Sequence, residues 1–153
     1  MTDRYRRLFG LLITIVFVNA LGASPSVFVG ADTTWIDRPA FYPPEILFPI
    51  VWTILFTLMG VALWRLVRRR NRAGARLALL LFALQFALNL AWTPVFFGLR
   101  RPELAVAVIV ALLATLLATI VATRRVDRIS AWLLVPYLIW VAFATALTVA
   151  IAL

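Results

Sequence analysis

The sequence predicts an all-α integral membrane protein, a bundle of five transmembrane helices forming one domain over residues 1–153. Three observations carry that prediction. The chain is 65% hydrophobic with a mean hydropathy of +1.03, more apolar surface than a soluble globule of this size could cover with polar groups. Its apolar residues gather in five runs, each long enough for a hydrocarbon core of about 30 Å, which takes about 20 helical residues. The alternation of apolar and polar residues that marks a closed strand barrel is absent, so helices are the structures that can satisfy their own backbone in lipid.

The first span is expected at about residues 8–28. MTDRYRR ahead of it, with small residues near 20–24, has the outline of a signal peptide. The apolar run is longer than a usual h-region and its small residues lead into a proline-containing stretch, so it reads as a span. The connection that follows, VGADTTWIDRPAFYPP, is the longest in the chain and mixes acids, an arginine and aromatics. A connection of that length in a small bundle is expected to form a lid or binding loop. The second span, about 45–67, opens on Pro43-Pro44-Glu45, and the fourth, about 103–123, on Pro102-Glu103. Proline suits a first helical turn, and an acid there suits the helix dipole. The third span is expected at about 77–98 and the fifth at about 129–153, with Asp127 and Ser130 as candidate caps.

Charge orients these spans. All fifteen basic residues are arginines. Twelve of them (Arg4, Arg6, Arg7; Arg65 to Arg76; Arg124, Arg125, Arg128) fall on one side of the membrane with only Asp3 and Asp127. The other side holds Arg38, Arg100 and Arg101 against four acids. The positive-inside rule therefore expects a cytoplasmic N-terminus and an external C-terminus. The same placement, short arginine clusters between apolar runs, argues against nucleic acid as the partner despite a pI near 11.7. With no histidine and no cysteine, disulfides, thiol nucleophiles, zinc sites and histidine acid–base chemistry are all excluded. No metal or cofactor is expected to be required.

Polar and aromatic residues inside the spans mark a candidate site. In LQFALNLAWTPVFFGL (residues 84–99), setting Gln85 at zero and advancing about 100° per residue puts Asn89 near +40°, Trp92 near −20° and Phe96 near +20°. Ala83, Ala87 and Ala91 gather on the opposite face, suited to close helix contact, within one chain or between two. The second span repeats the stripe with Glu45, Phe48, Trp52, Leu55 and Met59, and the fifth with Leu133, Tyr137, Trp140, Ala144 and Leu147. Each of the three also carries a proline (Pro49, Pro94, Pro136), expected inside the helix. Hydrogen bonding between helices would account for Gln85 and Asn89 without a ligand. Three mid-span tryptophans beside them point instead to a flat apolar ligand held in the bundle.

Three stretches, FYPPEILFPIVWTILFTLMGVALW, LQFALNLAWTPVFFGLRRPE and LLVPYLIWVAFATAL, resemble the signatures of the tryptophan-rich sensory protein and translocator protein family (TspO/MBR, including the peripheral benzodiazepine receptor). Their motifs, PP-x3-FP-x-VWT, LN-x2-WTP-x-FF and PY-x2-W, are long, occur in the family's order and cover essentially the whole chain. The resemblance implies a five-helix bundle, commonly a homodimer, whose pocket opens under the first loop. It implies porphyrin (protoporphyrin IX or heme) as ligand, with isoquinoline- or benzodiazepine-like drugs and, in animal members, cholesterol. Carried over by position, the pocket would comprise Trp35 and Pro39 in the loop; Pro44, Phe48 and Trp52; Asn89 and Trp92; and Tyr137, Trp140, Phe143 and Ala144. Two departures stand out. The loop is short between Trp35 and Pro39, so its closure is expected to differ. Thr148 stands where the family usually has Asn, and the Tyr and Arg of the C-terminal sterol motif are missing, which counts against sterol binding.

Three functions are compatible with these features. The first is a receptor or binding protein for porphyrin-type tetrapyrroles, regulatory in tetrapyrrole or stress metabolism. The second, also implied by the resemblance, is a light- and oxygen-dependent porphyrin-degrading enzyme. Trp52 and Trp140 are its candidate catalytic residues, as electron relays beside an excited pigment. The third is a porphyrin transporter, weakened by the lack of an inverted repeat and of any acid at mid-membrane. The Ala83, Ala87 and Ala91 face is the expected dimer seam.

Overall fold

The computed structural model describes residues 3–153, and every regular element in them is helical. The chain forms α1 (Asp3–Val29), α2 (Leu47–Arg68), α3 (Ala75–Thr93), α4 (Pro102–Val126), α5 (Arg128–Leu133) and α6 (Val135–Ala152), with a single π-helical turn, Pro94–Gly98, prolonging α3. Five stretches are long and apolar enough to cross a membrane: α1, α2, α3 with its π turn, α4, and α5 with α6. The protein is an integral, multi-pass membrane protein. One end of the bundle carries the 30–46 loop and the α3–α4 connection. The other carries the arginine clusters.

The helix ends differ from the sequence expectation where local chemistry decides them. α1 already runs from Asp3, the first described residue, rather than from residue 8, because arginines are good helix formers. α2 begins at Leu47 rather than Glu45. The chain after Pro43-Pro44 first makes a tight turn, with Leu47 N–H donating to Pro44 O (3.0 Å) and Phe48 N–H to Glu45 O (3.2 Å). The expected fifth helix is two. Pro136 cannot donate to the carbonyl of Trp132, and the chain tightens at Leu134, whose N–H reaches back three residues to Ala131 O (3.2 Å). Asp127 is the cap of α5, as expected. Ser130 is its partner rather than a second cap, donating its N–H to the Asp127 carboxylate (3.2 Å).

The prolines expected inside helices lie at their edges. Pro49 and Pro136 stand in the first turns of α2 and α6, where a backbone N–H has no partner to lose, and Pro94 opens the π turn. Among the described residues, Pro25 is the one proline in the interior of an α-helix. It would leave the carbonyl of Leu21 without a donor, and the Ser24 hydroxyl supplies one at 2.7 Å.

Packing pairs α1 with α2, α3 with α4, and α4 with α6, while α5 wedges between α2 and α4. The α1–α2 contact is a backbone contact: a Cβ at Gly60 would lie 2.7 Å from Ile15 Cα. Met59, Leu66, Leu112, Leu116, Leu134 and Tyr137 are fully buried between the helices. The arginine end is locked by Asp127, which accepts from Arg65 Nε at 2.7 Å, lies 3.6 Å from Arg69 and accepts the Ser130 hydroxyl at 2.6 Å. Burial alone would raise the Asp127 carboxyl. The hydrogen bonds from Arg65 and Ser130 outweigh it and pull the pKa down to about 2. Ala83, Ala87 and Ala91 face outward from the single chain.

Candidate ligand-binding site

α2 and α6 hardly approach each other along their backbones, yet large rings from both span the space between them. Phe48 meets Trp140 edge to face at 5.9 Å, Trp52 meets Tyr137 at 6.1 Å, and Phe143 lies 5.5 Å from Trp140. Phe48, Trp52, Tyr137 and Trp140 are residues that the 3.6-residue period placed on single stripes, while Phe143 came from the family resemblance. The first-turn proline of each helix sits beside them, so the rings are carried by regular helix rather than by a kink. Trp52 also stacks on Phe56 at 5.1 Å, which fixes the indole from its far side. Ala144, one turn after Trp140, packs against the core.

α3 joins this group through a hydrogen bond. Asn89 Nδ2 donates to the hydroxyl oxygen of Tyr137 at 2.9 Å, both residues being buried. Trp92, one turn further along, stacks on Phe96 at 4.9 Å and 15°, and Trp35 of the loop reaches the same Phe96 at 5.3 Å. The site therefore has two lobes. One holds Phe48, Trp52, Tyr137, Trp140, Phe143 and Ala144. The other holds Trp35, Trp92 and Phe96, with Ile36 and Ala105 beneath them. Trp92 packs against the main core as well as the second lobe and so connects the two.

Some polar groups in this region have no protein partner. Gln85 is fully buried, and neither its amide nitrogen nor its oxygen is hydrogen-bonded; the indole N–H groups of Trp35 and Trp92 are also unpartnered. A buried amide left in this way costs about 1–3 kcal/mol per unmade bond, a debit that a ligand or water can relieve.

The loop closes the outer end. Arg38 donates to Glu45 and to the Thr33 hydroxyl, and its guanidinium lies over the Tyr42 ring at 5.1 Å. Arg100 in the α3–α4 connection donates to Asp32 at 2.9 Å, tying the loop to that neighbouring connection. The Thr34 hydroxyl and amide hold the Asp32 carboxyl below its ordinary value, with Arg100 adding to the effect. Of the two loop prolines assigned to the site, Pro39 sits in the turn that receives Tyr42 N–H (2.9 Å), and Pro44 is exposed in the turn before α2. Pro44 thus shapes the approach of Phe48 rather than lining the aromatic cluster. The loop contributes two rings that motif reading left out: Phe41 against Phe143 at 6.4 Å and Tyr42 against Phe48 at 5.8 Å. The FYPP run held both, and Phe96 already shared the Gln85 stripe. Loop residues have no periodicity by which a sequence could aim them.

Known proteins resemble this chain in sequence over most of its length. The TspO/MBR family model matches residues 12–153. The chain is 36% identical to a tryptophan-rich protein TspO of Chlorobaculum tepidum, over 93% of each chain. It is 39% identical to a tryptophan-rich sensory protein of Cereibacter sphaeroides, over 91% of this chain and 87% of that one. It is 33% identical to a translocator protein of Sus scrofa, over 84% of this chain and 75% of that one.

Proposed function

Since the chain belongs to the TspO/MBR family of membrane proteins, we propose that it is a receptor for porphyrin-type tetrapyrroles, binding the pigment among the aromatic side chains between α2, α3 and α6. The observation that carries this reading is the set of rings bridging two helices whose backbones stand apart. A planar ligand can slide between such rings by moving side chains alone. It would exchange ring–ring contacts for larger ring–porphyrin ones, each worth roughly 0.5–1.5 kcal/mol beyond area burial. The unpartnered Gln85 amide and Trp92 indole offer an acceptor and donors for polar atoms of the ligand. Arg38 is the cation closest in sequence to the loop aromatics and suits a propionate, which would compete with Glu45 for it. Drugs of the isoquinoline or benzodiazepine type fit the same description, being flat and apolar. Cholesterol lacks π-faces and carboxylates and is expected to bind much more weakly.

A second reading, light- and oxygen-dependent porphyrin degradation, draws on the aromatic contact from Trp52 to Tyr137 and the tie from Tyr137 to Asn89. In that reading Trp52, backed by Tyr137, and separately Trp140 would pass an electron to the excited pigment. Titrating protoporphyrin in darkness, followed by saturable quenching of tryptophan fluorescence, tests the receptor. The same mixture under light and oxygen tests turnover. A stable absorption spectrum supports binding alone, bleaching that requires protein supports the enzyme, and absence of saturable quenching sinks both.

A further inference from the structure

Away from this site, two adjoining hollows of about 330 Å³ each open at the arginine end against α1 and α2. One is bounded by Trp64, Arg65, Arg68 and Arg69, the other by Asp3, Arg6, Arg7, Trp64 and Arg68, so that the five arginines face the single lining carboxylate of Asp3. Trp64 and Arg68 belong to both, so the two hollows form one cleft. Its charge is unbalanced. Asp127 engages Arg65 and Arg69, at 2.7 and 3.6 Å, whereas Arg6, Arg7 and Arg68 make no salt bridge among the described residues. The Arg68 guanidinium lies over the Trp64 ring at 4.9 Å. Stacking occupies the face of the guanidinium and leaves its in-plane N–H donors free for a fork-shaped acceptor.

We propose that this cleft binds the phosphate of an anionic phospholipid from the leaflet on the arginine side. Charge-assisted hydrogen bonds from three unpaired guanidiniums match a phosphate that carries no cationic neighbour. The surroundings favour a lipid over a free anion. On the α1 wheel Phe9 and Ile13 fall within about 60° of Arg6, and they face outward with 61% and 51% of their surface exposed. An acyl chain attached to a headgroup in the cleft would run along these side chains. The positive-inside rule accounts for arginines at this end in general. It does not require three of them to share a hollow with a tryptophan.

The test uses the full-length protein in neutral detergent, with short-chain phosphatidylglycerol titrated and bound lipid counted by native mass spectrometry. Phosphatidylglycerol is expected to bind saturably and phosphatidylcholine of equal chain length much more weakly. Arg6→Gln with Arg68→Gln should weaken phosphatidylglycerol by about ten-fold or more. Arg124→Gln with Arg125→Gln, an equal loss of charge on the exposed end of α4, should stay within about two-fold. If Arg68→Gln fails to fold, Arg6→Gln with Arg7→Gln, both on the exposed first turns of α1, takes its place with the same expectation. Equal weakening by the α4 pair would reduce the effect to net charge and overturn the proposal. Equal binding of phosphatidylcholine would also overturn it, and so would displacement of the lipid by equimolar inorganic phosphate.

Discussion

Trp140 touches both Phe48 and Phe143 and is only partly buried, so in the proposed receptor it is the ring a porphyrin would meet between α2 and α6. Trp140→Leu should weaken protoporphyrin binding by about 1–2 kcal/mol, roughly five- to thirty-fold, on the scale of removing one aromatic ring from a buried site. Unchanged affinity in a folded variant, read by fluorescence quenching, would remove α6 from the site. Asp127 works on stability instead. Its folded pKa of about 2 lies below the ordinary 3.8, so the contribution is fully present above about pH 4 and is lost as pH falls toward 2. Asp127→Asn should cost about 2 kcal/mol at neutral pH and flatten the loss of melting temperature between pH 4 and pH 2. A variant that melts like the parent at pH 7 would show that the Arg65 pair contributes nothing net. Both residues were visible in sequence, one by its stripe and the other as a cap. That Asp127 also holds Arg65, 62 residues away, was not, because ion pairing depends on which helix ends the fold brings together.

Among the elements, α1 and α2 meet closely at two glycines, Gly22 under the Phe56 ring and Gly60 against the backbone of Ile15. With Ile15 Cα 2.7 Å from where a Gly60 Cβ would stand, any larger residue must push two backbones apart. Gly60→Leu is expected to destabilise the protein by about 3 kcal/mol, the upper end of overpacking, seen as a lower melting temperature in detergent. A melting temperature equal to the parent's would mean that α1 yields freely. α1 is also the least buried of the spans, and besides the glycines it is tied to α2 by Asn19 Nδ2 donating to the Thr57 hydroxyl at 3.2 Å. The period of 3.6 could assign Gly60 to a helix. It could not say which neighbour crosses there.

For the whole molecule, five spans place the two termini on opposite sides of the membrane. The arginine distribution predicts the N-terminus inside. A reporter fused after Leu153 should be active outside the cytoplasm, and activity confined to the cytoplasm would reverse the assignment. Association is the second expectation at this scale. Ala83, Ala87 and Ala91 present a smooth outward face on α3, of the kind that lets two helices approach closely. Ala87→Phe should lower the dimer fraction in detergent, measured by light scattering. An unchanged fraction would move the seam elsewhere, with the outward Ala107, Ala111, Ala114 and Ala118 of α4 as the alternative.

The sequence by itself determined the number of spans, their helical nature and the residues on each polar–aromatic stripe. These follow from hydropathy and helical period, which act over a few turns of one chain segment. It also carried the family, because the WTP and PY motifs are long. Helix ends were decided more finely, by which backbone N–H groups the prolines lack, so Pro49 and Pro136 came to rest in first turns rather than inside spans. Only the tertiary structure decided which stripes meet. It set α2 and α6 apart so that Phe48, Trp52, Tyr137 and Trp140 bridge the gap, brought Phe41 and Tyr42 of an aperiodic loop onto that cluster, and left the Gln85 amide unpartnered. The reason is physical: in lipid every helix satisfies its own backbone, so hydrophobicity leaves the partners unspecified, and packing of side-chain shapes chooses among them.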